Sequence, residues 1–348
     1  MVQKQERLLI WFLIIALFVV LLQVAIGGIT RLTGSGLSMT EWNIVLGTIP
    51  PLNEAEWQTA FTKYKSIPQY NVVNPLMSVK EFKFIYFWEY AHRMWGRFGF
   101  LFLFGGFLFF LLKRSLNSKW IWRFIVLLII YLSQGLLGWF MVKSGLSENI
   151  YVSHYRLAAH LWAAILIFAY LAWLVSDLVA KPKQHLLAKQ HSGFGLFVLT
   201  LLAIQILFGA FMSGLRAAIH YPSWPSMNGK MLPENLLIMK PLFKNFGENM
   251  ATIHFVHRGL GYLLFGVIVY FFFKIRKSGY VALDKCNMLL PIILSLQIVL
   301  GIVVLLSSKG GQISILWASL HQINGLLLFT GFLFIWFLMR KEPEKLAV

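Results

Sequence analysis

The sequence predicts an all-α integral membrane protein, with eight transmembrane helices arranged as two parallel, pseudo-symmetric four-helix bundles. Three observations carry that prediction: composition, a series of long apolar runs, and an internal repeat. Of 348 residues, 58% are apolar and only 13% are charged, and the mean hydropathy is +0.70. A water-soluble domain of this length has no surface made of such material. A hydrocarbon core of about 30 Å takes about 20 helical residues to cross, and runs of that order occupy 8–28, 88–112, 120–142, 156–178, 193–213, 251–273, 287–306 and 314–339. The first follows Lys4 and Arg7 as a secretion signal would. It has the length of a span, however, and "VAIGGITRLTGSG" is a poor cleavage site, so it counts as a helix.

The repeat sets the bundles. Spans one, three, five and seven each carry Gln-x-x-x-Gly, at Gln23, Gln134, Gln205 and Gln297. Spans two and six share a His-Arg pair in "EYAHRMWGR" and "IHFVHRGLGY", while spans four and eight share "RLAAHLWAAILIF" and "WASLHQINGLLLF". The connections after spans one and five also share Trp42, Gly47 and Pro51 with Trp224, Gly229 and Pro233. An even number of spans per copy makes the second copy enter the membrane in the same direction as the first. The boundary expected from this is 1–180 for the N-terminal bundle and 181–348 for the C-terminal one. The four Gln-x-x-x-Gly motifs, taken alone, read best as helix packing, with glycine allowing close approach and glutamine bonding across helices.

Orientation follows from the basic residues, which concentrate in short loops on the cytoplasmic side. Lys4 and Arg7 precede the first span; Lys113, Arg114, Lys119 and Arg123 follow the second; Lys181, Lys183 and Lys189 follow the fourth; Lys274, Arg276, Lys277 and Lys285 follow the sixth; Arg340, Lys341 and Lys345 end the chain. Both termini are therefore expected in the cytoplasm. The net charge of +18 is spread in these small groups, so it lacks the continuous basic face that nucleic-acid binding needs. Cys286 is the sole cysteine and reads as an ordinary buried thiol.

Four of the nine histidines, His92, His160, His257 and His321, fall inside spans two, four, six and eight near their outer ends. Ionisable residues at such depth are costly and are kept where they line a cavity or bind something. Neutral imidazole is a good ligand for iron, and two from facing helices can occupy both axial positions of a haem. One haem-type site per bundle follows, with His92 and His160 in the first and His257 and His321 in the second. Arg93, Arg97 and Arg258 are candidates to pair haem propionates; snorkelling to the interface explains them equally well. His154 and His220 lie in outer loops, where an ordinary loop role suffices.

The repeat breaks at one telling position. Glu89 precedes His92 by three residues, about 300° around the helix and roughly 4.5 Å along it, so the two share a face. The equivalent position before His257 is His254. A buried carboxylate beside a ligated macrocycle can stabilise developing positive charge or move a proton, which makes the first bundle the expected catalytic one. The competing explanation is structural, with Glu89 paired to Arg93 or Arg97.

These residues resemble a known family. "GGITRLTGSGLS", "EYAHR", "RLAAHL", "GLRAAIHYPSWPSMNGKMLP", "HFVHRGLGY" and "LHQINGLLL" together are similar to the heme A synthase family over nearly the whole chain. The resemblance implies an oxidoreductase that takes heme O as substrate at His92 and His160, with Glu89 as the catalytic carboxylate and a heme b cofactor on His257 and His321. It implies two successive hydroxylations of a heme O methyl group, giving a gem-diol that loses water to the formyl group of heme A. Some members carry an outer-loop cysteine pair; this chain resembles the branch without it. Implied partners are heme O synthase, terminal oxidase assembly, an unidentified electron donor and membrane lipid, with a homo-oligomer compatible. The implied location is the bacterial cytoplasmic (inner) membrane, with the haem sites toward the outer face. A di-haem b-type electron carrier is the rival reading, and the presence of Glu89 in one repeat alone argues against it.

Overall fold

The computed structural model describes residues 2–42, 46–146, 150–180, 190–276, 281–308 and 310–340. Of the basic residues used for orientation, Lys181, Lys183, Lys189, Lys277, Lys341 and Lys345 lie outside that set. Among the described residues, eight helices are long and apolar enough to cross a membrane. They are Val2–Leu32, Val79–Leu112, Ser118–Lys143, His154–Val179, Ser192–Gly214, Met250–Ile275, Val281–Ser307 and Ile315–Arg340. In hydrocarbon a backbone must satisfy its own N–H and C=O groups, which is why each apolar run becomes a continuous helix.

The second span differs most from its expected limits. Its helix begins at Val79, well before the apolar run, because Ser78 and Glu81 form a complete capping box. Ser78 Oγ accepts from the Glu81 N–H, and the Glu81 carboxylate accepts from the Ser78 N–H. Capping of this kind satisfies two otherwise orphaned donors and fixes the helix start. The seventh helix runs through Pro291 without interruption.

Contacts divide the chain into two compact units, 14–168 and 169–348 together with 1–13. In the unit 14–168, the connection after the first span contains two further helices, Glu54–Lys65 and Pro68–Val73. Asn53 caps the first of them by accepting from the Glu56 N–H. Phe61, Tyr64 and Leu37 bury themselves against Phe82 and Tyr86 of the extended second span, with the Phe61 and Phe82 rings 5.1 Å apart. The connection is therefore a packed cap on one end of the span. Deeper in the same unit, Phe107 and Phe124 stack at 5.4 Å.

In the other unit, Phe194, Phe271 and Phe332 form a connected aromatic core, with Phe271 and Phe332 4.8 Å apart. Trp336 donates from its indole N–H to the Ser192 carbonyl at 3.0 Å, tying the last span to the fifth. Its long connection, 215–249, is irregular. It carries short helices at Ala217–His220 and Asn245–Glu248 and is organised by Asn245 and Asn249, both buried and both bonded to loop carbonyls.

Candidate functional site

The four candidate ligand histidines fall as two pairs, one in each unit. In the second unit the rings of His257 and His321 stand edge-on, with planes 71° apart and centroids 6.5 Å apart. Two imidazoles bound from opposite sides of one metal ion, with bonds of about 2.0–2.1 Å, place their ring centres ~6 Å apart. The observed separation fits an iron between them. In the first unit His160 lies within electrostatic reach of His92. Among the described residues no three His, Cys, Asp or Glu side chains converge as a conventional metal centre requires. Two imidazoles per site suit a macrocycle, which supplies the remaining ligands itself.

What holds the imidazoles was only partly visible in the sequence. A Cβ added at Gly27 would sit 2.7 Å from His92 Cε1; at Gly138, 3.3 Å from His160 Cε1; at Gly209, 3.2 Å from His257 Cε1; at Gly301, 3.0 Å from His321 Cε1. Each Gln-x-x-x-Gly motif is helix packing, as expected, but the group that its glycine admits is in every case a histidine ring edge. The glutamines act on the same histidines. Gln23 Nε2 lies 3.1 Å from His92 Nδ1 and donates to the His92 carbonyl. Gln205 Nε2 lies 3.4 Å from His257 Nε2 and donates to the His257 carbonyl at 3.0 Å. Gln297 Nε2 lies 3.3 Å from His321 Nε2, while His321 Nδ1 faces the Gln297 carbonyl at 3.2 Å.

A reciprocal pattern accompanies this one. Four residues beyond its histidine, the even-numbered span offers a glycine to the glutamine: Gly96 to Gln23, Gly261 to Gln205 and Gly325 to Gln297, at 3.4, 3.7 and 3.1 Å from the Cβ each would carry. The signal was legible as His-x-x-x-Gly in "HRMWG", "HRGLG" and "HQING". Span four lacks it. "HLWAA" has Ala164 at that place, and Gln134 Nε2 and His160 Nδ1 are buried without a hydrogen-bond partner.

Glu89 is 2% exposed. One carboxylate oxygen accepts from Ser38 Oγ at 2.7 Å and from the Met39 N–H at 2.8 Å; the other accepts from Arg93 at 2.5 Å. Arg93 also donates to the carbonyls of Met39 and Glu41 and lies over the Trp42 ring. The pair thus braces the start of the long connection against the second span, as the structural explanation of Glu89 requires. That does not remove the carboxylate from the site, since Glu89 shares a helix face with His92. Ser38, Met39 and Tyr86 also line a cleft at this end of the unit, together with Pro51, Glu56 and Lys63.

The second unit repeats the device with different chemistry. His254 is fully buried and accepts from Arg258 Nε at 3.1 Å. Arg258 then donates to the carbonyls of Tyr221, Ser223 and Ser226 in the other long connection. A neutral imidazole replaces the carboxylate, so the second pair of histidines has no anionic neighbour on that helix turn. Arg97 is half-buried one turn beyond Arg93. His220 is exposed and His154 packs against Tyr155 at the start of span four, so neither joins a histidine pair. Cys286 is a free, half-buried thiol.

The chain matches the cytochrome oxidase assembly protein family COX15-CtaA over residues 10–333. It is 36% identical to a protein named heme A synthase from Nitrosomonas eutropha, across 96% of this chain and 94% of that one. A protein of the same name from Nitrosospira multiformis is 39% identical, across 97% and 95%. Another, from Parvibaculum lavamentivorans, is 43% identical across 77% and 78%.

Proposed function

The chain belongs to the COX15-CtaA family of cytochrome oxidase assembly proteins, and from that membership we propose that it is a multi-pass membrane enzyme making heme A from heme O. The reaction is an oxidation at a CH group, taking a heme O methyl to the formyl of heme A through two hydroxylations. The single observation that carries the assignment of roles is that Glu89 stands on the helix face of one histidine pair only.

His92 and His160, in the bundle proposed as 1–180, receive the iron of substrate heme O. His257 and His321, in the bundle proposed as 181–348, hold a heme b. Their glycine-seated rings and 6.5 Å separation fit that group, which when bound supplies one-electron redox chemistry.

The protein's own share is positioning and charge. The Glu89 carboxylate accepts from Arg93, Ser38 and the Met39 N–H. It presents that charge where carbon becomes electron-poor, and its carboxylate can take the proton released. The helices Glu54–Lys65 and Pro68–Val73 cap this end of the unit by packing on Phe82 and Tyr86. Arg93 and Arg258 brace the two long connections; with Arg97 they are the cations that would pair haem propionates. Heme O synthase upstream, terminal oxidase assembly downstream and a separate electron donor are the proposed partners. The basic loops support cytoplasmic termini in a bacterial inner membrane, with the histidines toward the outer face.

Expression in a host that makes heme O but no heme A tests the proposal. The purified chain is extracted with acid and its haems are separated by mass. Heme A or its hydroxylated precursor beside heme b is expected; heme b alone, with heme O present in the cells, would favour the electron carrier.

A further inference from the structure

We propose that His160 is the exchangeable ligand of the first bundle, and that the missing fourth glutamine–glycine pairing is what frees it. The proposal rests on reading the histidine pairs as axial haem ligands. Three of the four histidines sit in a closed arrangement: the ring edge against a glycine of the neighbouring helix, the glutamine of that helix against a glycine one turn beyond the histidine, and the glutamine amide on the histidine. The arrangement is tightest at His321, where Asn324 donates to Gln297 Oε1 at 2.8 Å and so fixes the glutamine that faces the ring.

His160 keeps only the first element, its ring edge against Gly138. In span four the positions equivalent to Asn324 and Gly325 are Ala163 and Ala164. Ala164 carries a methyl where the other three spans have glycine, and Gln134 Nε2 is buried without a hydrogen-bond partner, whereas the amides of Gln23, Gln205 and Gln297 each reach their histidine; His160 Nδ1 is buried and unpaired, as is His257 Nδ1. A buried amide N–H left without a partner calls for a reason in a native fold. Partners of this kind orient a ligating imidazole, and losing one typically costs 10–100-fold in affinity for the bound metal. A cofactor site gains from rigid ligands on both sides. A substrate site must take up one haem and give up another, and a single loosely held imidazole lets it do so while His92 keeps hold.

The test uses the full-length chain in detergent, loaded with hemin at both sites, reduced with dithionite and exposed to carbon monoxide, which captures iron whenever an axial imidazole leaves. Transfer of haem to apomyoglobin is followed in parallel. We expect one of the two haems to react readily with carbon monoxide. The double substitution Ala163→Asn with Ala164→Gly, which restores the pattern of span eight, should slow both carbon monoxide capture and haem transfer from that site by about 10- to 100-fold. In the opposite direction, Gly325→Ala should make the second haem reactive while the protein stays folded and haem-loaded.

Unchanged rates in both variants, with two six-coordinate low-spin haems still seen in the absorption and EPR spectra, would overturn the proposal and leave the ligand assignment standing. Failure of the wild-type chain to form two such haems would overturn the ligand assignment and the proposal together.

Discussion

Glu89 and Arg93 form an ion pair whose side chains are 3% and 9% exposed, so removing one partner strands the other. Breaking a buried pair this way costs about 3–5 kcal/mol. Glu89→Ala should therefore lower thermal stability and loosen residues 38–42 as well as stop oxidation, which makes it a poor probe of chemistry. Glu89→Gln keeps an oxygen for Ser38 Oγ and the Met39 N–H. It should fold, retain haem and yield no heme A, as acid extraction would report; normal heme A from Glu89→Gln would remove the carboxylate from the mechanism. Gly27→Ala makes a similarly local demand. Its new methyl would meet His92 Cε1 at 2.7 Å, a separation that forces the imidazole off its place, and overpacking of this kind costs about 1–3 kcal/mol. The low-spin absorption of haem bound at His92 should be lost. Gly105 has nothing within 4 Å of its would-be Cβ, so Gly105→Ala should leave the spectrum alone and gain up to about 1 kcal/mol of helix propensity.

At the scale of elements, the spans and the histidine positions were legible because hydrocarbon imposes length and apolarity on a helix and makes every buried imidazole conspicuous. The cap of 54–73 was not, since its helices are short, amphipathic only through Phe61 and Tyr64, and held by contacts to Phe82 and Tyr86 of a distant segment. The only local signs were Asn53 before Glu56 and Ser78 before Glu81. The grip of Ser38 and Met39 on Glu89 joins an irregular loop to a helix about 50 residues away, and no periodicity announces such a contact. The cap also has its own titration. Tyr64 is fully buried, donating to Gln69 Oε1 and accepting from Asn74 Nδ2. Burial raises its pKa above the usual phenol value, against the opposing effect of the Asn74 bond. A proton held more tightly in the folded state contributes stability below the unfolded pKa, about 10, and that contribution fades as pH rises through the folded value. The cap should thus loosen in alkali, seen as faster amide exchange across 54–73 above pH of about 10. Tyr64→Phe should remove that alkaline step, though it starts from lower stability because Gln69 and Asn74 lose a buried partner.

For the whole molecule, the repeat gives each unit its own pair of histidines, its own bracing arginine and its own long connection, and the chemistry differs at one helix turn, Glu89 against His254. Each of the four rings rests against a glycine of a helix in its own unit. Deleting a ligand should accordingly empty one site and spare its counterpart. His321→Ala, expressed where heme O is made, should lose heme b and keep heme O, with little heme A because the redox partner is missing. His92→Ala should keep heme b and lose heme O. Acid extraction with mass separation reads both haems from one sample. Loss of both haems from His321→Ala, in protein that still elutes as a folded species, would mean that the two units share one binding event, and the division of labour between substrate and cofactor bundles would have to be abandoned.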